Sequence, residues 1–201
     1  YGFILVFLTS INNYNLFNKK LFNISHIEVN GFSDKKNTLI KDEIRNTIDK
    51  NIFFVEKKNF KKLIDRNDTK DLLIKKIYPN KLIINFIPAK PICIILFKDD
   101  KIILGDNGKK LNIKTTKKKL PIVSGSENID NIFKVVNLLR LSKLDYDKIN
   151  KIILFKSGRF DINLESELLI RFPIKYTEEI INHSNRLLND KKFINSKVID
   201  L

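Results

Sequence analysis

The sequence predicts an α+β protein with two globular parts, and three observations support this prediction. A strand–turn–strand hairpin over residues 72–91 is rich in β-branched and aromatic residues, and the turn residues Tyr78-Pro79-Asn80-Lys81 separate its two arms. Two segments with helical spacing of apolar residues precede this hairpin, and mostly strand-like segments follow Pro91. We therefore expect a βααββ domain, followed by a larger mixed or antiparallel β-sheet domain with two helices.

The second arm of the hairpin has one fully apolar face. Every second residue of a strand shares a face, and here the apolar face carries Leu82, Ile84 and Phe86. An isolated hairpin is only marginally stable, so helices or more strands must cover this face. Pro88 and Pro91 cannot donate to a strand ladder, and we expect them to end this pairing and to start a new unit. The residues expected to pack on the apolar face are Ile44, Ile48, Phe60 and Leu63.

The segments before the hairpin predict one strand and two helices. Residues 25–31 alternate and stop at a glycine, which is typical of a short strand. Thr38 is the expected N-cap of a first helix that continues to about Lys50. Glu56 is expected to open a second, basic helix whose buried stripe contains Phe60, Leu63 and Ile64.

The segments after Pro91 predict a sheet with two helices. The turn Gly105-Asp106-Asn107-Gly108 is a strong hairpin signal. The expected strands cover residues 92–97, 101–104, 111–113, 151–155, 160–164, 168–172 and 196–201, with a short edge strand at 120–125. The expected helices cover residues 128–144 and 176–189.

The first residues are apolar and uncharged. A membrane span needs ~20 apolar residues, so the stretch from Tyr1 to Ile11 is too short to span alone. We interpret it as the outer half of a truncated transmembrane or signal segment, with residues 12–23 as a linker; the alternative is a buried strand of the fold. The predicted division is therefore 1–23 for this segment and linker, 24–91 for the first domain and 92–201 for the second.

The residue types argue against catalysis. His26 and His183 lie far apart, and Cys93 stands alone within an apolar strand, so that neither a zinc site nor an active thiol is expected. The glycines are scattered at turns and form no phosphate-binding loop. We expect no cofactor, no metal, no small-molecule substrate and no enzymatic activity.

The chain is strongly basic, with 38 Lys and Arg against 23 Asp and Glu and a net charge of +15. Such a charge is compatible with nucleic acid, an anionic surface or an acidic partner. Because the lysines are dispersed, we interpret the excess as a bias of composition and expect no nucleic-acid binding. A basic nucleic-acid-binding module remains the alternative interpretation of the charge.

Several motifs resemble a known family when they are taken in order. The stretches Ile27-Glu28-Val29-Asn30-Gly31 and Asn51-Ile52-Phe53-Phe54-Val55-Glu56, followed by the hairpin to Pro91, resemble a POTRA domain. The stretches Leu120-Pro121-Ile122-Val123-Ser124-Gly125, Arg159-Phe160-Asp161-Ile162 and Val198-Ile199-Asp200-Leu201 are similar to the β domain of the FtsQ/DivIB family of bacterial cell-division proteins.

The resemblance implies a non-enzymatic divisome scaffold of the bacterial inner membrane, single-pass, with its bulk in the periplasm. Such proteins link early and late division proteins and bind FtsB/FtsL-like partners during septum formation. The implied mechanism is strand addition to a sheet edge. The implied partner-binding residues are Lys197, Val198, Ile199, Asp200 and Leu201 on the last strand, Arg159 near it, and Ile74 and Lys76 in the first domain.

Two features leave alternatives open. A POTRA-like segment also suits an outer-membrane protein assembly or secretion transporter, although residues 92–201 contain two predicted helices and few strands for that class. The last strand, for its part, could have neighbours on both sides, in which case it offers no open edge. If its edge is open, we expect a proline at Ile199 to abolish partner binding.

Overall fold

The computed structural model describes residues 3–4, 22–48, 50–97, 100–113, 116, 119–190 and 196–201. The chain divides into two compact units, Tyr1–Pro88 and Ala89–Leu201. Each unit has its own mixed sheet and its own buried core. The predicted α+β class is confirmed.

The first unit has the predicted βααββ order. Its sheet has the strand order β1-β3-β2, in which β1 runs parallel to β3 and the hairpin strands β2 and β3 are antiparallel. The elements are β1 His26–Asn30, α1 Asp34–Thr47, two 3₁₀ turns at Ile52–Phe54 and Lys57–Phe60, α2 Lys61–Ile64, β2 Thr69–Ile77 and β3 Lys81–Pro88.

The apolar face of the hairpin forms the centre of this core. Leu82, Ile84 and Phe86 are buried, whereas Ile87 on the opposite face is partly exposed. The helical residues that pack with them are Ile40, Ile44, Phe60 and Leu63, with Ile48 partly buried at the margin. The predicted choice of buried face is confirmed.

The first helix begins earlier than expected. Thr38 lies inside α1, where its hydroxyl donates to the carbonyl of Asp34, and Ser33 is the N-cap residue. The side chain of Asn37 accepts from the amide of Phe32 and donates to its carbonyl, which ties the chain before the helix to its first turns. The prediction of Thr38 as the cap was wrong because this threonine bonds backwards within the helix instead.

The second helix is shorter than expected. Glu56 and Asn59 form a capping box, as a helix start requires, but the turn that follows is 3₁₀ and α2 has only four residues. Phe60 and Leu63 are still buried as predicted.

Within the described ranges, the second unit is built on an eight-stranded sheet with the order β11-β10-β9-β8-β7-β4-β5-β6. The strands β4 with β5, β8 with β9, and β9 with β10 are antiparallel; β7 with its two neighbours, and β10 with β11, are parallel. The elements are β4 Pro91–Phe97, β5 Asp100–Gly105, β6 Lys110–Leu111, β7 Ile122–Ser124, α3 Ile129–Leu141, a 3₁₀ turn Tyr146–Lys148, β8 Ile149–Leu154, β9 Phe160–Leu164, β10 Leu169–Phe172, α4 Glu178–Leu188 and β11 Val198–Asp200.

Strand β7 lies in the middle of this sheet and not at an edge, so that part of the prediction was wrong. Val123 is fully buried, and the amide of Ile94 in β4 donates to the carbonyl of Pro121 just before β7. Pro121 lacks an amide donor but is tolerated because it precedes the strand. At the other end, Gly125 has φ +90°, and a Cβ there would lie 2.1 Å from the carbonyl oxygen of Leu154.

One row of apolar side chains crosses six strands and forms the floor of the second core. The row consists of Ile95, Val123, Ile152, Ile162, Ile170 and Ile199, and all six are buried. Helices α3 and α4 pack on this floor through Ile132, Val136 and Ile181. Cys93 is buried here, and burial raises the pKa of its thiol to about 12.

The predicted inner-membrane localisation is contradicted. Within the ranges that the structure describes, no helix combines the length and the apolar character needed to cross a bilayer. Most of the apolar stretch from Tyr1 to Ile11, and most of the expected linker, lie outside the described residues.

Candidate functional site

The last strand occupies one end of the eight-stranded sheet. β11 pairs with β10 in parallel, with Val198 opposite Leu169 and Asp200 opposite Arg171. Among the described strands, none pairs with the other side of β11. The predicted terminal strand is therefore present, and it lies at an edge.

The hydrogen bonds to β10 define which backbone groups face outwards. The amide of Leu169 donates to the carbonyl of Lys197 at 2.9 Å, and the amide of Leu201 donates to the carbonyl of Arg171 at 3.1 Å. Successive residues of a strand direct their N–H and C=O groups to opposite sides. Lys197, Ile199 and Leu201 therefore face β10, whereas the N–H and C=O groups of Val198 and Asp200 face away from it.

This alternation changes what a proline at Ile199 would do. Because the amide of Ile199 faces β10, its loss would disturb the internal pairing of β11 and not the outer edge. Val198 and Asp200 supply the donors and acceptors that an added strand would use.

The side chains of β11 alternate between the core and the open face. Ile199 is 4% exposed and belongs to the apolar floor under the helices. Val198 is 47% exposed and lies on the opposite face together with Asp200. A strand added beside β11 would therefore contact apolar side chains on the helix-covered face of the sheet, and both apolar and charged side chains on the opposite face.

A row of alternating charges crosses the open face and ends at β11. Asp161 in β9 lies opposite Arg171 in β10, which lies opposite Asp200 in β11. The Nη1 atom of Arg171 is 3.7 Å from Oδ2 of Asp200. Arg159 joins the inner end of this row, with its Nε atom 3.4 Å from Oδ1 of Asp161 and its guanidinium over the ring of Phe155.

The inner carboxylate of the row is buried. Asp161 is 5% exposed, and its Oδ1 atom makes no hydrogen bond within the described part of the chain. Burial raises the pKa of Asp161 above its ordinary value, while the guanidinium groups of Arg159 and Arg171 act in the opposite direction. The two arginines therefore lie beside a carboxylate that is largely removed from solvent.

A groove runs along the other face of the edge, between α4 and β11. It has a volume of about 480 Å³ and is lined by Glu179, Ile180, His183, Leu187, Asp200 and Leu201. The α4 residues recur at helical spacing, so one stripe of the helix faces the end of the sheet. The groove is bounded on one side by β11, the strand beside which a further strand would add.

The eight predicted site residues are divided between the two units. Arg159 and the five residues from Lys197 to Leu201 lie in the second unit, and the charged row connects Arg159 to Asp200. Ile74 and Lys76 lie in the first unit, on the side of β2 that faces its core. The Nζ atom of Lys76 donates to the carbonyl of Phe53 at 3.1 Å.

Two features of this site have no counterpart among the sequence predictions, namely the central arginine of the row and the stripe on α4. Arg171 and Asp200 are 29 positions apart, and only the strand order places them side by side. The stripe on α4 was predicted as part of a helix, but the strand that it would face could not be identified. No sequence signal marked these residues.

Metal binding finds no support in the described ranges, where no group of three or more His, Cys, Asp or Glu side chains is suitably arranged. The expectations that the chain has no cofactor and no enzymatic activity remain predictions.

Comparisons with known proteins give a weak structural similarity. No family model matches the chain, and no curated protein matches it. Among solved structures, the chain is similar to the major extracytoplasmic domain of the trans isomer of the bacterial cell division protein DivIB from Geobacillus stearothermophilus. The two share 15% identity, the match covers 50% of this chain and 91% of that one, and the TM-score is 0.39.

Proposed function

We propose that this chain is a non-enzymatic scaffold of bacterial cell division that binds an FtsB/FtsL-like partner protein by β-strand addition to β11. The division role rests on the order of sequence motifs that resemble the FtsQ/DivIB family. The binding mode rests on one structural observation, which is that Val198 and Asp200 direct their backbone groups away from the sheet. Native proteins normally cover such an edge, and a partner strand is one means of covering it.

The geometry of the edge suits a short added strand. Two outward residues offer up to four backbone hydrogen bonds, each with a net contribution of roughly 0.5–1.5 kcal/mol. This contribution is modest, so side-chain contacts on both faces of the edge must supply the specificity and the rest of the affinity.

One proline variant with a matched control tests the binding mode. Val198→Pro removes an outward-facing donor while leaving the inward bonds of Lys197, Ile199 and Leu201 in place, so it should reduce affinity for the partner strongly. The measurement is isothermal titration of the full chain with the FtsB homologue encoded in the same genome, and the amide spectrum of the variant verifies its fold.

The matched control is Val198→Thr, which keeps the backbone donor and has a similar shape. It should bind the homologue with nearly unchanged affinity. Unchanged binding by a folded Val198→Pro variant would contradict strand addition at β11. Absence of binding by the unmodified chain would contradict the proposed partner.

A further inference from the structure

The two faces of β11 differ in a way that specifies the strand that it accepts. We infer that this edge selects an extended segment with a Lys or Arg side chain opposite Asp200 and with apolar side chains at the adjacent positions, which enter the groove beside α4. This inference rests on the proposed function, because it assumes that a strand adds to β11.

The charge requirement follows from the row on the open face. Asp161, Arg171 and Asp200 lie on three successive strands and alternate in sign from one strand to the next. Opposite charges directly across a strand pair are favourable, and like charges are unfavourable. A residue added outside Asp200 continues the row, so a cation is favoured there and an anion is disfavoured.

The position of Asp200 supports this requirement. Its side chain is 70% exposed, and its 3.7 Å contact with Arg171 is long for a charge-assisted hydrogen bond. The Asp200 carboxylate can therefore accept hydrogen bonds from a second cation on its solvent-exposed side. The guanidinium of Arg171 is also attracted to the buried carboxylate of Asp161, so it does not interact with Asp200 alone.

The apolar requirement follows from the groove. A residue of the added strand next to the one opposite Asp200 directs its side chain to the face of Ile199 and Leu201. On that face the groove beside α4 presents Ile180 and Leu187, which are partly buried against the second core. An apolar side chain placed there gains burial without any need for a polar partner.

Three synthetic nine-residue peptides serve as probes. The first is acetyl-Thr-Val-Thr-Ile-Lys-Ile-Thr-Val-Thr-amide, which has Lys on one face and aliphatic residues on the other. The second has Glu in place of Lys, and the third has Asn in place of both Ile residues. Each is titrated into the isotope-labelled full chain, and the amide shifts of Val198 and Asp200 report both the location and the affinity of binding.

The Lys peptide should bind roughly two- to thirtyfold more tightly than the Glu peptide, since a favourable pair for one and an unfavourable pair for the other, each of roughly 0.2–1 kcal/mol, differ by roughly 0.4–2 kcal/mol. In the Asp200→Lys variant this preference should reverse. The Asn peptide should bind more weakly than the Lys peptide to both proteins. Glu127→Lys, which makes the same charge change in the exposed loop before α3, is the control and should keep the original preference.

The possible failures can be told apart. Equal affinity of the Lys and Glu peptides, with shifts centred on Val198 and Asp200, would overturn the charge requirement and leave strand addition intact. Equal affinity of the Asn peptide would overturn the apolar requirement. Shifts located elsewhere, or no binding of any peptide, would overturn both this inference and strand addition at β11.

Discussion

At the scale of single residues, Phe86 is the clearest test of the first core. It is 4% exposed and packs among the helix residues that cover the hairpin. Phe86→Ala should lower the free energy of unfolding of the first unit by about 3–5 kcal/mol, because it removes buried area and leaves a cavity. The measurement is chemical denaturation followed by circular dichroism.

The neighbouring residue provides the control for this variant. Asn85 lies on the other face, where its Oδ1 atom accepts from the side chain of Asn30 at 3.0 Å. Asn85→Ala should cost roughly 0.5–1.5 kcal/mol, the range of one hydrogen bond. Equal costs for the two substitutions would mean that the faces of β3 are assigned the wrong way round.

Two aspartates should respond to pH in opposite directions. The pKa of Asp161 is raised by burial. The stability that this residue contributes is therefore greatest below its pKa in the unfolded chain, and it is lost as the pH rises through its pKa in the folded chain. The pKa of Asp71 is lowered, first by the hydrogen bond from Lys57 and then by the amide of Leu72, so its contribution is present at neutral pH and is lost on acidification.

The difference in unfolding free energy between each Asp→Asn variant and the unmodified chain measures these effects. As the pH rises from 3 to 7, Asp161→Asn should become more stable relative to the unmodified chain, and Asp71→Asn should become less stable relative to it. Denaturation curves at several pH values provide the measurement. If Asp161→Asn instead became less stable relative to the unmodified chain over this range, attraction to Arg159 and Arg171 would outweigh the cost of burial.

At the scale of elements, the glycine after β7 has a stricter role than the glycine of the hairpin turn. Gly125 and Gly108 both have positive φ, at +90° and +75°. An added Cβ would collide with the backbone carbonyl of Leu154 at the first site, whereas at the second it would lie 3.6 Å from the ring of Phe133.

Gly108→Ala should therefore cost about 1–2 kcal/mol from backbone strain alone, and Gly125→Ala should cost clearly more because β7 or β8 must also shift. Thermal unfolding of the two variants compares these costs directly. Similar melting temperatures would indicate that β8 moves away from Gly125 without loss of stability.

The elements also show how much the sequence could predict. The hairpin of β2 and β3 was predictable because its alternation and its turn residues are local. The capping error at Thr38 arose because serine, threonine and asparagine near a helix start all have capping groups, and only the fold determines which one is used.

The place of β7 was not predictable for a different reason. Its three residues carry no signal of their neighbours, and its pairing with β4 and β8 joins segments that are far apart in the chain. The candidate site has the same character. Its last strand was predictable from apolar alternation, but the charged row and the groove depend on the order of strands across the sheet.

At the scale of the whole molecule, the separate cores predict separate unfolding. Phe86 belongs to the core of the first unit, and Phe160 is fully buried in the core of the second. In native-state hydrogen exchange, Phe86→Ala should accelerate exchange across residues 22–88 only, and Phe160→Ala across residues 89–190 and β11 only. Accelerated exchange across the whole chain in either variant would contradict two independent cooperative units.

The central position of β7 also determines how the second unit would transmit mechanical tension. Part of a load applied between β11 and the start of β4 at Pro91 passes sideways from strand to strand, through β7 into β4. β7 is joined to β4 by two residue pairs and to β8 by three, whereas β4 and β5 share six. Rupture under a pulling force should therefore begin beside β7 and separate the sheet into two sets of strands, each still paired within itself.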